Sequence, residues 1–173
     1  MTTSRMPMSG RSLGPLRRAA VVLVAGAGVA LSPLPAQANT GGTTTAAVTA
    51  APVAAPTAAA QTAVDTALAQ QGDPYVWGGA GPDSFDCSGL TQYAYAAAGI
   101  SLPHSSNMQS TIGTPVAYSD LQPGDLVFFY SPVSHVGMYI GNGQMVHAGT
   151  SGDVVKVVDL AYMPDFNSAR RLA

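Results

Sequence analysis

Small and apolar residues recur every three or four positions in two segments of the chain. The segments are QTAVDTALAQQG (residues 61–72) and CSGLTQYAYAAAG (residues 87–99). This period predicts two amphipathic helices. Gly72 and Gly99 are suited to end them, because glycine readily adopts the left-handed conformation that closes a helix. The second helix has three candidate N-terminal caps, which are Asp83, Ser84 and Asp86.

Runs typical of β-strands follow in the last third of the chain. DLVFFYS is a continuous apolar run that begins after a Pro123-Gly124 turn, and DVVKVVDL alternates apolar and polar positions. HVGMYI and QMVHAG flank the sequence Gly-Asn-Gly, which is a β-hairpin signal. Helices followed by antiparallel strands predict an α+β domain built of a helical layer and a sheet.

The N-terminal segment has the composition of an export signal. Four arginines occur in the first 18 residues, and an apolar run of 13 residues follows over 19–31, which is shorter than the roughly 20 residues that span a bilayer. Ala36-Gln37-Ala38 then provides a small-x-small cleavage site. We therefore predict a signal peptide over residues 1–38 and a secreted protein, extracellular or associated with the cell wall.

A segment rich in Thr, Ala and Pro separates this signal from the rest of the chain. Residues 39–60 contain no charged and no aromatic side chain. Such a segment buries too little side-chain surface to offset its ordering entropy, which predicts a flexible linker. The remaining residues, 61–173, are numerous enough for one domain with its own core.

The predicted mature chain is acidic. Four of the seven basic residues lie in the signal peptide, which leaves Lys156, Arg170 and Arg171 against nine aspartates. Three positive and nine negative charges give a net charge of −6. Proteins that bind nucleic acid carry clustered Lys and Arg, so we expect no nucleic-acid partner. The same charge argues against docking on an anionic membrane, and we expect no membrane partner after signal cleavage.

Cys87 is the only cysteine of the chain, and an exported protein rarely keeps an idle thiol. The helical pattern places it at or just before the first turn of the second helix, where unpaired N–H groups and the helix dipole favour an anion. We therefore expect an acidified thiol, whose thiolate is a nucleophile. The alternative is a small buried hydrophobic residue, although the polar neighbours Asp86 and Ser88 are atypical of a core.

The hairpin brings two of the three histidines together. A three-residue loop over 141–143 places Gly137 opposite His147, and His135 is then a diagonal neighbour of His147 on the same face. Their Cβ atoms would lie about 7 Å apart. His135 can then take the proton of Cys87 while His147 orients the ring of His135. Two other interpretations remain, namely ordinary strand histidines and a zinc site built from the same three residues.

Several separated motifs resemble one known family. PYVWGG, FDCSGLTQYAY, LQPGDLVFF and SHVGMYIGNGQMVHA, with the order Cys, His, His, are similar to the NlpC family of cell-wall cysteine peptidases, also written NlpC/P60. The resemblance runs from about residue 61 to the end of the chain. It implies a papain-like α+β core in which the nucleophile helix packs on an antiparallel sheet. It also implies peptidoglycan as the substrate, cut within the stem peptide, commonly between D-glutamate and a diamino acid, without a metal or cofactor.

The resemblance also implies roles for individual residues. Cys87 falls on the nucleophile, His135 on the base and His147 on the third polar position. The residues that fall on the substrate pocket are Tyr75, Asp86 and Ser88. Asp86 and Ser88 would hold a cationic amine of the stem peptide, and Tyr75 would donate near the oxyanion. We further expect Cys87 and His135 to form an ion pair in the resting protein.

Two residues near these motifs receive other interpretations. Family members often have an arginine where this chain has His104, which we interpret as a solvated loop histidine; Trp77 is interpreted as a packing aromatic. The alternative function is a wall-binding or metal-binding module that uses the same fold without catalysis. Acyl transfer to an amine in place of water is a third possibility. We expect the protein to act as a monomer.

Overall fold

A computed structural model describes residues 53–173. The predicted signal peptide and most of the predicted linker lie outside the described residues, so the domain boundaries stay predictions. Within the described range, no helix combines the length and the apolar character needed to cross a membrane.

The described residues form an α+β domain, as predicted. Its helices are α1 (Ala58–Ala69), α2 (Cys87–Ala97) and α3 (Ser106–Gln109). Its strands are β1 (Thr114–Pro115), β2 (Leu126–Phe129), β3 (His135–Gly141), β4 (Gln144–Ala148), β5 (Val155–Asp159) and β6 (Phe166–Arg171). The strands form one sheet in the order β1-β6-β2-β3-β4-β5, and every adjacent pair is antiparallel.

Helix α1 begins at Ala58, within the last residues of the predicted linker. Thr57 caps it, because the Thr57 hydroxyl oxygen accepts a hydrogen bond from the Ala60 N–H at 3.0 Å. The helix ends at Ala69, and Gly72 follows with a φ of +97°. Gly72 therefore lies in the turn after the helix, close to the predicted end.

Helix α2 begins at Cys87, and Asp86 is its N-terminal cap among the three candidates. The Asp86 carboxylate accepts a hydrogen bond from the Gly89 N–H at 2.7 Å. The apolar face of α2 packs on the sheet, and the Tyr95 hydroxyl donates to the Gly124 carbonyl at 2.5 Å. Helix α2 is thus fixed both at its first turn and near its end.

Both faces of the sheet are covered. On the side of α1 and α2, the largest core residues are Phe85, Leu90, Tyr95, Leu126, Phe128, Val136, Met138 and Val146. On the other side, a smaller cluster contains Val127, Phe129, Met145, Leu160 and Ala169. Alternating residues of one strand therefore reach two different cores, which is why DLVFFYS reads as a continuous apolar run.

Strands β3 and β4 form the predicted hairpin, but its loop is shorter than the predicted three residues. Gly141 pairs with Gln144, so the loop consists of Asn142 and Gly143. Both loop residues have positive φ, 55° and 73°, as a two-residue hairpin turn of the primed type requires.

A β-bulge compensates for the shorter loop. The register shifts between Tyr139 and Gly141, and Tyr139 then pairs with Met145. Because the extra residue lies in β3, the pairing below the bulge has the register that was predicted. His135 and His147 therefore share one face of the hairpin, although the loop length that led to this prediction is wrong.

Strand β6 was not predicted, and it lies between β1 and β2. Its sequence FNSARR lacks a run of apolar residues, so no local pattern indicates a strand. It is held by long-range contacts instead. The Arg171 guanidinium donates to both carboxylate oxygens of Asp125, at 2.8 and 2.7 Å, and Asp125 is 1% exposed.

Candidate active site

The structure places Cys87 as the first residue of α2, directly against the start of β3. The loop before the helix is packed closely on the helix, because a Cβ on Gly89 would lie 1.9 Å from the Gly79 carbonyl oxygen. The Asp86 N–H donates to the same oxygen at 2.8 Å. Only glycine fits at position 89, and this contact fixes how the helix start is presented.

The Cys87 thiol is less acidic than a free thiol, which corrects the expectation of an acidified cysteine. Burial raises its pKa most, and the nearby Asp86 carboxylate raises it further. Hydrogen bonding from the N–H groups of Val136, Ser88 and Cys87 itself acts in the opposite direction but does not outweigh them. The sulfur is therefore a neutral thiol at neutral pH. The N–H groups around it could donate hydrogen bonds to a negatively charged acceptor.

His135 and His147 form a buried, hydrogen-bonded pair. The His135 Nε2 and His147 Nδ1 atoms are 2.9 Å apart, and the two rings stand edge to face with centroids 5.1 Å apart. The two residues are 8% and 5% exposed. Burial lowers the pKa of each imidazole to about 4. At neutral pH both rings are neutral, so the predicted resting ion pair with Cys87 is not favoured.

His135 follows the loop that connects β2 to β3 and precedes Val136, whose N–H is directed to the Cys87 sulfur. The Phe129 ring packs beside it, with ring centroids 5.9 Å apart. Of the three residues that sequence reasoning selected, His135 and His147 are hydrogen-bonded to each other, and Cys87 contacts the N–H of Val136, which follows His135. Their roles in catalysis stay predictions.

Asp86 accepts more hydrogen bonds than a capping residue needs. Its Oδ1 accepts from the Gly89 N–H and from the Ser88 hydroxyl, at 2.7 and 3.0 Å, and its Oδ2 accepts from the Gly78 N–H at 2.9 Å. Burial alone would raise the pKa of Asp86, but the hydrogen bonds from Gly89, His104 and Ser88 outweigh it and lower the pKa. Asp86 is therefore ionised, and both of its carboxylate oxygens accept hydrogen bonds from within the protein.

His104 lies in a loop and is exposed, as expected, but its ring also contacts a carboxylate. Its Nε2 lies 2.9 and 2.8 Å from the two carboxylate oxygens of Asp86, and its side chain is 28% exposed. The only signal in the sequence was its position where related proteins often have an arginine. A histidine at that position supplies one ring nitrogen to the carboxylate, where an arginine could supply a two-pronged contact.

A buried glutamine, which sequence reasoning missed, connects the loop of His104 to α2. Gln109 is fully buried, and its amide nitrogen donates to the Ser88 and Pro103 carbonyls at 2.9 and 2.8 Å. Its amide oxygen accepts from the Thr91 hydroxyl at 2.7 Å. No local pattern marks Gln109, because its partners on α2, Thr91 and Ser88, are 18 and 21 residues away in the chain.

A cleft of about 180 Å³ opens beside the sulfur. Its lining consists of Trp77, Asp86, Cys87, Ser88, His104, Ser105 and Ser106. Trp77 is 85% exposed at this cleft, so its interpretation as a packing aromatic is wrong. Tyr75 is partly exposed, and burial raises the pKa of its hydroxyl, with smaller contributions from Cys87 and Asp86. Tyr75 is thus near the thiol, as the sequence suggested.

Among residues 53–173, no group of three or more His, Cys, Asp or Glu side chains is arranged to hold a metal ion. The chemistry that the described arrangement can support is nucleophilic. It combines a thiol at a helix start, a neutral imidazole pair and backbone N–H groups around the sulfur.

Comparison with known sequences identifies relatives over the same region. The sequence model of the NlpC/P60 family matches residues 72–168. A probable endopeptidase of Mycobacterium tuberculosis is 55% identical over 105 residues, which are 61% of this chain and 27% of the relative. A probable endopeptidase of Corynebacterium glutamicum is 52% identical over 105 residues, which are 61% of this chain and 50% of the relative. This chain thus spans a quarter to a half of the length of these relatives.

Solved structures show the same architecture. The NlpC/p60 domain of the peptidoglycan hydrolase SagA is 35% identical with a TM-score of 0.61, covering 65% of this chain and 98% of that one. The peptidoglycan hydrolase RipB of Mycobacterium tuberculosis is 32% identical with a TM-score of 0.61, covering 65% of this chain and 64% of that one. The papain-like fold that the sequence predicted is therefore confirmed.

Proposed function

Because this chain belongs to the NlpC/P60 family, we propose that it is a secreted cysteine endopeptidase that hydrolyses an amide bond in peptidoglycan stem peptides. The bond proposed is the one between D-glutamate and the diamino acid. The observation that carries the proposal is the buried His135–His147 hydrogen bond of 2.9 Å beside a helix-start thiol. Related endopeptidases and peptidoglycan hydrolases support the substrate class.

The proposed reaction begins with both catalytic groups neutral. His135 uses its Nε2 for His147, which leaves Nδ1 as the ring nitrogen that accepts the Cys87 proton. The proton moves to Nδ1 while the sulfur attacks the carbonyl carbon of the substrate. A neutral resting pair is compatible with this step, because the base needs to hold the proton only as the carbon–sulfur bond forms.

The oxyanion formed in this attack receives hydrogen bonds at the start of α2. The N–H groups of Cys87 and Ser88 are directed towards the sulfur, and first-turn N–H groups have no partner within a helix. Both would lie within reach of the carbonyl oxygen of a bound substrate. The imidazolium of His135 then protonates the leaving amine as the carbon–nitrogen bond breaks, and a water molecule releases the acyl group from sulfur.

The substrate is proposed to enter through the cleft of Trp77 and His104. Asp86 places a negative charge at one end of this cleft. We propose that a cationic amine of the stem peptide interacts with this charge. Ser88 donates its hydroxyl proton to Asp86, so its oxygen keeps acceptor capacity towards the amine. Tyr75, near the thiol, is proposed to donate its hydroxyl proton at the oxyanion.

Digestion of purified peptidoglycan tests the proposal. The wild-type protein should release muropeptide fragments whose masses correspond to cleavage after D-glutamate, and the Cys87→Ser variant should release none. The variant should still sediment with peptidoglycan, because the change removes the nucleophile and keeps the cleft. Fragments from a different bond would correct the specificity, and sedimentation without any fragments from the wild type would favour the wall-binding module.

Secretion and oligomeric state are separate parts of the proposal. Cleavage after Ala38 predicts that protein recovered from the culture medium or the cell wall begins at Asn39. N-terminal sequencing of that protein tests this. Light scattering coupled to size-exclusion chromatography tests whether it is a monomer, and a dimer mass would contradict our proposal.

A further inference from the structure

One ring nitrogen of the histidine pair has no partner among the described residues. His147 uses Nδ1 for His135, whereas its Nε2 is buried and makes no hydrogen bond. A buried polar atom without a partner is unusual and destabilising. Its surroundings therefore bear on how the pair works.

The proposed reaction requires one particular arrangement of protons on the pair. His135 can accept the thiol proton on Nδ1 only if its own proton is on Nε2 and is donated to His147 Nδ1. The proton of His147 must then be on Nε2, so that this nitrogen is a donor. In the reverse arrangement the Nδ1 of His135 carries a proton, and it cannot act as a base. An acceptor near His147 Nε2 would therefore favour the reactive arrangement.

The Asp153 carboxylate, in the loop between β4 and β5, lies near the His147 ring. A Cβ built on Gly149 would lie 2.9 Å from Asp153 Oδ2 and 3.6 Å from His147 Cε1, the ring carbon between Nδ1 and Nε2. Both atoms are thus within 4 Å of one point in space. The Asp153 carboxylate is kept there by the Val154 N–H, which donates to Oδ1 at 2.9 Å.

The Asp153 carboxylate also forms an ion pair with Lys156. Lys156 pairs with His147 across β4 and β5, and its Nζ is 2.6 Å from Asp153 Oδ2. Burial lowers the pKa of His147 most, Lys156 lowers it further, and Asp153 raises it. The two charges of one ion pair therefore act on His147 with opposite signs.

We propose that Asp153 is a positioning residue that holds the proton of His147 on Nε2, and that Lys156 limits this effect. Asp153 thereby extends the series Cys87, His135, His147 by a fourth group that never touches the substrate. This inference rests on the proposed function of the site. It concerns proton placement within the histidine pair, which can be measured without substrate.

Other titratable groups also surround the histidine pair. On the elements that pack against it they are Asp73 and Tyr75 in the segment paired with the β4–β5 loop, and Asp86 and Cys87 at the start of α2. Cys87 is replaced by serine in every protein of the ring titration, and the other three groups are unchanged, so their contribution is common to all the proteins compared there.

Opposite charge changes distinguish this proposal from a structural role of the ion pair. In a Cys87→Ser background, ¹⁵N NMR titration of the histidine rings reports both the pKa of His147 and the nitrogen that carries its proton. Asp153→Asn should lower the pKa of His147 by about half a unit and Lys156→Met should raise it by a similar amount. Asp153→Asn should also move part of the His147 proton from Nε2 to Nδ1.

Two further variants complete the test. Gly149→Ala should act like Asp153→Asn, because its Cβ would displace the carboxylate. Asp159→Asn is the matched control. Asp159 is the last residue of β5, the strand that carries Lys156, and it contacts Gln144. Thermal melting of each variant checks that the fold is intact. In the Cys87-containing protein, Asp153→Asn should lower kcat about tenfold with little change in KM.

The outcomes separate this inference from the proposed function. Shifts of opposite sign for Asp153→Asn and Lys156→Met, with no shift for Asp159→Asn, support the inference. Shifts of the same sign, or no shift beyond the control, overturn it, even if the wild type cleaves peptidoglycan. If the wild type does not cleave peptidoglycan, the proposed function fails, and the ring titration still decides the placement of the proton.

Discussion

The protonation state of Cys87 leads to a prediction about the pH dependence of its alkylation. Burial and Asp86 raise the pKa of the thiol above the usual 9.0, and burial lowers the pKa of His135 to about 4. The resting site should therefore contain a thiol and an imidazole, and not a thiolate and an imidazolium. Iodoacetamide reacts with the thiolate, so its rate measures which pair is present.

The size of the effect follows from the two pKa values. At pH 7, about three units above the pKa of His135, roughly one ring in a thousand is protonated. A thiol with a pKa above 9.0 is then ionised to about 1% or less. Because the thiolate fraction grows about tenfold per pH unit below the pKa, the alkylation rate should rise about a hundredfold from pH 6 to pH 8.

The assay follows the mass of the protein during reaction with iodoacetamide between pH 5 and pH 10. The urea-unfolded protein supplies the rate of the same thiol without burial, and it should react faster than the folded protein at pH 7. His135→Ala should change the rate at pH 7 by less than about threefold, because the neutral ring does not stabilise a thiolate. A rate that is high and constant from pH 5 to pH 8, and that collapses in His135→Ala, would refute the neutral pair and restore the resting ion pair.

Three further predictions concern the site and its support. His147→Ala should lower kcat about ten- to a hundredfold, less than Cys87→Ser, because in the proposed reaction His147 orients the base and transfers no proton; equal losses in steady-state kinetics would contradict this. Arg171→Met should lower the free energy of unfolding by about 2–3 kcal/mol, because the buried Asp125 loses two charged hydrogen bonds; urea denaturation measures it, and a change below about 0.5 kcal/mol would count against it. The lowered pKa of Asp86 contributes stability that is complete above the unfolded value of 3.8 and is lost as the pH falls through the folded value. His104→Ala removes part of this contribution, so acid unfolding followed by circular dichroism should begin at a higher pH, and an unchanged midpoint would show that the His104 contact is negligible.

The sequence was sufficient where the decisive contacts are local. The period of CSGLTQYAYAAAG located α2 and placed Cys87 near its start, although the sequence left three candidate caps, of which the structure selects Asp86. The apolar and alternating runs likewise located β2, β3, β4 and β5. The predicted register of the hairpin that carries the two histidines was right, but the predicted loop length was wrong. The odd residue lies in a bulge of β3 and not in the loop, and Gly-Asn-Gly is compatible with either.

The sequence was insufficient where distant segments meet. Strand β6, Gln109 and His104 depend on partners that no periodicity reveals. The acidity of Cys87 was misjudged for a related reason. A helix start favours the thiolate, but the degree of burial and the closeness of Asp86 depend on tertiary packing, and here they outweigh the helix.

The exposure of Trp77 has a practical consequence. It is the single tryptophan of the whole chain, and it stands 85% exposed at the mouth of the cleft beside the sulfur. The indole emission of this protein therefore arises from one place, the cleft through which we propose that the substrate enters. Occupancy of the cleft can be followed by fluorescence in unlabelled protein, without waiting for a bond to be cut.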